Sequence, residues 1–372
     1  MKNTILFFLI LFTGLEVALA KVITVDNNAG TSADYASLSE AVTAASNGDS
    51  IYVHASQIAY GNLNLNKSLA ILGPGHYPET NPAGTAILGD ITLLTGSSGS
   101  IFSGLSVSSI SVSTNSSVQV HDILIENNLF RRASAIIGAS QASGGNSDNW
   151  IIRGNVFLNL NRCGGCTVIA VGNDVQLNTA NENWFIYNNL IDVRGNIYIF
   201  NNINATATIN HNIIITTATN NAYGLFIGNS NDRNSGVSLS NNIFISTSPD
   251  NFDLARGCSN CSFTNNLTYH PVSTLVDLPG TGNLNNTDPE FVNVPESFAW
   301  SYEHDFNVTD SSPANNAGTD GTDLGIYGGT AFQFTKFGYP QGMPYVEFFQ
   351  VNNPQLQEGE NLNISIRARV GN

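Results

Sequence analysis

Charged side chains are scarce in this chain of 372 residues: Asp, Glu, Lys and Arg make up 11% of it, against roughly 25% in an ordinary soluble domain. A helical bundle with a solvated outer face needs more, so that class is excluded. Positive charge is the scarcest of all, with 13 Lys and Arg against 28 Asp and Glu and a formal net charge of -15. Such a surface cannot neutralise a phosphate backbone, which excludes nucleic acid as a partner. Long apolar runs are also missing: beyond residue 20 nothing approaches the ~18 residues that suggest a transmembrane helix, so no transmembrane segment is expected. The six histidines (His54, His76, His121, His211, His270, His304) lack the i, i+4 spacing of a zinc enzyme. Aromatic residues are plentiful, with 20 Phe, 12 Tyr and 3 Trp. That much large apolar surface excludes disorder.

The first twenty residues read as a targeting segment. Lys2 supplies a positive start, Ile5 to Phe12 is an apolar run too short to span a bilayer, and Ala18-Leu19-Ala20 offers the small-x-small pattern of a signal peptidase site. Residues 1–20 are therefore expected to be a signal peptide removed before Lys21. The localisation that follows is secreted or cell-surface.

An asparagine repeat organises the middle of the chain. Six segments align on Asn128, Asn155, Asn189, Asn212, Asn242 and Asn266, spaced by 27, 34, 23, 30 and 24 residues. Three residues before each stands Ile125, Ile152, Ile186, Ile209, Leu239 or Phe263, and immediately after each stands Leu129, Val156, Leu190, Ile213, Ile243 or Leu267. This pattern predicts a parallel β-coil with the six asparagines stacked at a turn. Asparagine tolerates left-handed backbone, and its amide can both donate to and accept from an identical amide one coil away. The row should lie along the coil axis with neighbours about 4.8 Å apart. Strand alternation sends the -3 residues into the core and the -2 residues (Glu126, Arg153, Tyr187, Asn210, Ser240, Thr264) outward.

The ends carry different signals. Ser37-Leu38-Ser39-Glu40 is a capping box, and Leu38, Ala41, Val42 and Ala45 form the apolar stripe of a short helix able to cover an open coil end. Beyond Gly329, Tyr345 to Phe349 and Leu362 to Ala368 alternate as strands around a turn at Glu358-Gly359-Glu360. The organisation expected is residues 1–20 as signal peptide, 21–330 as coil with its N-terminal cap, and 331–372 as a C-terminal β tail, best placed to cap the far end of the coil stack.

Asp34-Tyr35-Ala36-Ser37-Leu38, Gly48-Asp49-Ser50-Ile51-Tyr52-Val53, Leu69-Ala70-Ile71-Leu72-Gly73-Pro74-Gly75 and the asparagine repeat resemble the right-handed parallel β-helix proteins of the pectin-lyase-like superfamily. Asp288-Pro289-Glu290-Phe291-Val292, Ser312-Pro313-Ala314 and Asp323-Leu324-Gly325-Ile326-Tyr327-Gly328-Gly329 resemble the closing segment of its secreted bacterial members. The resemblance implies an all-β, right-handed single-stranded parallel β-helix with a short N-terminal capping helix and a C-terminal hairpin-like tail. It also implies a choice of activities, since that superfamily holds pectate and alginate lyases, polygalacturonases, pectin esterases and non-catalytic adhesive proteins.

The residues test these options unevenly. The paired-Asp and Gly-His-Gly signatures of a polygalacturonase-like hydrolase are missing. A lyase needs a base and a cation beside a uronate carboxylate; Arg131, Arg132, Arg153, Arg162 and Arg194 fall within the central coils, and Arg153 is the catalytic candidate. No cofactor is expected, with calcium at Asp320 and Asp323 as the alternative. Register stacks Glu126, Arg153 and Tyr187 outside three successive coils, with Leu124, Ile151 and Phe185 beside them. This mixture of acid, guanidinium and aromatic ring suits an extracellular polysaccharide, while its structural alternative is a Glu126–Arg153 ion pair beside a covered apolar trio. The reading is a monomeric glycan-binding or surface protein, with a pectate-lyase-like polysaccharide lyase as the enzymatic alternative. The paired Cys163/Cys166 and Cys258/Cys261 sit in coils about 14 Å apart, too far for one shared zinc, so two local disulfides are expected.

Overall fold

The computed structural model describes residues 20–77, 84–114, 117–132, 134–158, 165–172, 180–204, 206–218, 223–227, 234–248, 252–353, 355 and 357–370. The expected signal segment, apart from Ala20, lies outside the described residues, as do Arg162 and Cys163. The chain is a parallel β-solenoid. One sheet has ten parallel strands: Val22–Val25, Ser50–Val53, Ala70–Leu72, Ile101–Ser103, Leu124–Glu126, Ile151–Arg153, Phe185–Tyr187, Thr208–Asn210, Ser238–Ser240 and Ser262–Thr264. Their register sets Ile125, Ile152, Ile186, Ile209, Leu239 and Phe263 side by side in the interior. Aromatic residues inside the coil stack between turns, Trp150 on Trp184 at 4.6 Å and Phe130 on Phe157 at 4.8 Å between ring centroids.

A second sheet starts directly after each ladder asparagine, with strands such as Val156–Leu158, Leu190–Val193, Ile213–Thr216 and Ile243–Ser246. Its alternation feeds two cores. Phe130, Phe157, Ile191, Ile214 and Phe244 point into the coil and join its interior. The residues immediately after the asparagines, Leu129, Val156, Leu190, Ile213, Ile243 and Leu267, point out of the coil, yet they are equally buried. Phe298, Phe306, Ala314, Leu324, Ile326 and Phe334 cover them, forming a second hydrophobic core on the solenoid flank.

The corner between the two sheets holds the asparagine row. Asn128 Nδ2 donates to Asn155 Oδ1 at 3.1 Å, Asn155 to Asn189 at 3.0 Å, Asn189 to Asn212 at 3.0 Å, and both Asn212 to Asn242 and Asn242 to Asn266 at 2.9 Å. Each acceptor oxygen also takes the backbone N–H of the preceding rung. The left-handed backbone, however, is not at these asparagines. It lies one residue earlier, at Asn127 (φ 56), Gly154 (φ 63), Asn188 (φ 51), His211 (φ 52), Asn241 (φ 58) and Asn265 (φ 51). The ladder residue spends its amide on its neighbours, and the residue before it makes the turn. A seventh rung, Asn283, accepts from Asn266 at 3.2 Å. The alignment misses it because Gly280 stands at its -3 position.

At the N-terminal end the helix Leu38–Ala44 buries Leu38, Ala41 and Val42, and Ser37 Oγ caps it by accepting from the Glu40 N–H at 3.4 Å. Lys67 Nζ closes its other end, donating to the carbonyls of Val42, Thr43 and Ala45 at 2.9, 2.8 and 2.6 Å. Cys258 is bonded to Cys261. Cys166 is also disulfide-bonded, and its expected partner lies outside the described residues. No helix among the described residues is long and apolar enough to cross a membrane.

After the last coil the chain turns back along the flank as an irregular strap. It meets the left-handed residues in reverse chain order. Asn265 Nδ2 donates to the Ala317 carbonyl at 2.8 Å; Asn241 donates to Thr319 Oγ1 at 3.0 Å and accepts from the Thr319 N–H at 2.8 Å. His211 Nε2 meets Asp320 Oδ2 at 3.0 Å, and Asn188 Nδ2 donates to the carbonyls of Ile326 and Gly328, both at 2.8 Å. A Cβ on Gly154 would come within 2.4 Å of the Phe332 ring, so glycine is the residue that lets the strap pass. Asn127 Nδ2 donates to the Tyr339 carbonyl at 3.1 Å, and the His76 N–H to the Phe337 carbonyl at 2.9 Å. The strands Pro344–Val351 and Ile364–Val370 then form a two-stranded antiparallel ribbon. Tyr345 at its base stacks on Tyr339, with centroids 3.8 Å apart. The ribbon thus springs from the strap beside the coils of His76 and Asn127 and does not cap the far end of the stack.

Candidate functional site

Strand register places Ile151, Phe185 and Thr208 on successive coils at the outward -4 position, and Arg153, Tyr187 and Asn210 at -2. The strap runs alongside, and between them lies a cleft of about 320 Å³. Its sheet side carries Ile151, Phe185, Tyr187, Thr208 and Asn210, and its opposite wall carries Asp320, Gly329, Thr330 and Ala331. Phe185 is 40% exposed, far more than a large ring on a filled surface needs to be.

Register brings Glu126, Arg153 and Tyr187 together as neighbours on three strands. Arg153 donates through Nε to Glu126 Oε2 at 2.8 Å, its NH2 lies 2.7 Å from the same oxygen, and its NH1 donates to the Tyr187 hydroxyl at 3.2 Å. The strap covers this group: the Phe332 ring lies over the guanidinium, 4.8 Å from carbon to centroid. Glu126 is left 5% exposed. Of the three, only Tyr187 lines the cleft. Of the other arginines in these coils, Arg132 pairs with Asp90 at 3.0 Å and Arg194 with Asp192 at 2.6 Å.

The acid of the cleft is Asp320. Its Oδ1 accepts from the N–H and hydroxyl of Thr322 at 3.1 and 2.8 Å, and its Oδ2 faces His211 Nε2. Burial works to raise its pKa, but the Thr322 and His211 hydrogen bonds outweigh it and hold the carboxyl below the usual range. Asp320 is therefore ionised at neutral pH. Asp323 is used differently, its Oδ1 accepting from the Asn316 N–H at 2.8 Å. Among the described residues no group of three or more His, Cys, Asp or Glu is placed to hold a metal ion.

Sequence reasoning identified the outward row containing Phe185 and Tyr187 but assigned no role to Thr208, Asn210 or His211 in a site. It also gave no reason to bring Asp320 to the coil of His211, since 109 residues separate them. A double asparagine in four of the six repeats was the available signal that the position before the ladder has a partner of its own.

No family model matches the chain, and no curated protein matches it in sequence. Among solved structures it is similar to the crystal structure of pectate lyase Pel9A, at 13% sequence identity and a TM-score of 0.38, over 87% of this chain and 98% of that one.

Proposed function

We propose that this solenoid is an exported protein that binds extracellular polysaccharide in the cleft between its ten-stranded sheet and the strap. The observation that carries the reading is the half-open Phe185 ring, set among Tyr187, Thr208, Asn210 and Asp320 in a preformed groove. A flat apolar face bordered by a few fixed hydroxyl, amide and carboxylate groups is the usual composition of a small-molecule site, and it matches a pyranose ring with its apolar faces and hydroxyl rim. A rigid β-scaffold keeps the ordering cost of binding low.

The enzymatic alternative, β-elimination on a uronate polymer, has weaker support. Arg153 is committed to Glu126 and Tyr187 and roofed by Phe332. Affinity electrophoresis of the chain from Lys21 through gels containing single polysaccharides tests the binding reading: retention by at least one gel is expected, and retention by none rejects it. Ultraviolet absorbance from an unsaturated product in the same incubations would instead favour elimination.

A further inference from the structure

The lining of the cleft carries one carboxylate and, among the described residues, neither Lys nor Arg. Asp320 keeps its charge through two bonds from Thr322 and one from His211. The Arg153 guanidinium, which donates to the cleft residue Tyr187, is already balanced by Glu126 at 2.7 Å and faces the Phe332 ring. Around the site the whole molecule has a formal charge of -15. A carboxylate on the ligand would meet a like charge inside the groove and repulsion from the protein's general field, with no Lys or Arg among the described lining residues to answer it. A neutral sugar meets neither. Its hydroxyls find an acceptor at Asp320, an amide donor at Asn210, whose Oδ1 already accepts from Asn241 and Ser240, and a hydroxyl partner at Thr208, and its ring faces Phe185.

Resting on the glycan-binding reading above, we propose that the cleft takes a neutral pyranose chain and discriminates against uronate polymers, with Asp320 as the discriminating residue and Phe185 as the stacking platform. Selection here comes from an unfavourable contact with the wrong ligand as much as from a favourable one with the right ligand.

The test is affinity electrophoresis at about 0.15 M salt, where exposed charges are screened beyond about 8 Å and contacts within the groove persist. A panel of neutral hexose polymers is run against polygalacturonate. The wild-type chain should be retained by a neutral polymer and at least tenfold less by polygalacturonate. Phe185→Ala should lose retention on the neutral polymer with an unchanged melting temperature, because the ring is outside both cores. Asp320→Asn should raise polygalacturonate retention severalfold and so narrow the neutral-to-uronate ratio, since it removes the like charge while the amide oxygen can still accept from Thr322. If polygalacturonate is retained best and Phe185→Ala abolishes it, the inference is overturned while the glycan-binding reading stands. Retention on no polymer overturns the reading itself. Neutral retention that survives Phe185→Ala moves the site away from the cleft and overturns the inference.

Discussion

Two rows of residues, adjacent in sequence at every coil, behave in opposite ways. The ladder row from Asn128 to Asn266 turns inward and bonds to itself, so each rung is satisfied by the coils directly above and below. The row one residue earlier turns outward and bonds to the strap, whose residues come from up to 212 positions away. The first row admits only asparagine across these rungs because each side chain must donate and accept in the same direction along the axis. The second admits Asn, Gly or His, because it needs only a left-handed backbone and whatever side chain its stretch of strap requires. A double-asparagine repeat thus encodes two different structures in neighbouring letters.

The largest effect should come from breaking the inner row. Asn189→Ala leaves the buried Asn155 N–H without its acceptor and removes one bond each from the Asn155 amide, the carbonyls of Ile152 and Tyr187 and the Asn212 oxygen. A loss of about 4 kcal/mol is expected, at the upper end for one side chain, read as a fall in the urea midpoint. Breaking the outer row at the adjacent residue should cost less and stay local. Asn188→Ala removes two bonds to the strap and replaces a residue that tolerates left-handed backbone with one that does not, for about 2–3 kcal/mol. Hydrogen exchange should quicken around Ile326 and Gly328 while the ladder amides keep their protection; equal quickening in both would show the rows to be one unit.

Acid should act on the strap through His76. This imidazole is fully buried, its Nδ1 2.8 Å from the Tyr302 hydroxyl and its Nε2 without a partner among the described residues. Burial first, and then the nearby charge of Arg131, lower its pKa to about 3. An unfolded histidine takes up a proton near pH 6.5 and this one does not, so the stability it contributes is complete above about pH 6.5 and is lost progressively as pH falls toward 3. Between pH 7 and pH 5 the loss should reach about 2 kcal/mol. Urea titrations at the two pH values measure it, and the His76 ring carbons should keep neutral-imidazole NMR shifts at pH 5. The smallest effect should come from Tyr187→Phe, which removes one partly buried hydrogen bond from Arg153 and costs about 1 kcal/mol, read as a small fall in the thermal midpoint.

What could be read from the sequence, and what could not, follows the same division. The coil, its inward -3 row and the capping helix each rest on contacts between residues a few dozen positions apart or less, and repetition made them visible. The second core shares that repetition, in Leu129, Val156, Leu190, Ile213, Ile243 and Leu267, but its cover does not: Phe298, Phe306 and Phe334 come from a segment with no period. For the same reason the candidate site was half legible. Phe185 and Tyr187 could be placed on one face from strand alternation. Asp320 and the Gly329–Ala331 wall could not, because an irregular strap has no register to extrapolate. The Phe332 roof over Arg153 escaped notice on the same grounds, although Gly154, the one glycine in the left-handed row of the repeats, marks where it passes.

The direction of the strap has a consequence for how the molecule comes apart. A bare solenoid holds each coil only by its two neighbours, so it can fray from either end one coil at a time. Here the segment that follows the last coil is fastened to Asn265, Asn241, Asn188 and Asn127 in turn and ends against His76, while Tyr302 reaches that same histidine across 226 residues of chain. Between the coils of His76 and Asn265, none can open without releasing a contact made by the strap. Under heat, denaturant or a pull on its termini, the stack should therefore yield as a single cooperative body instead of unzipping turn by turn.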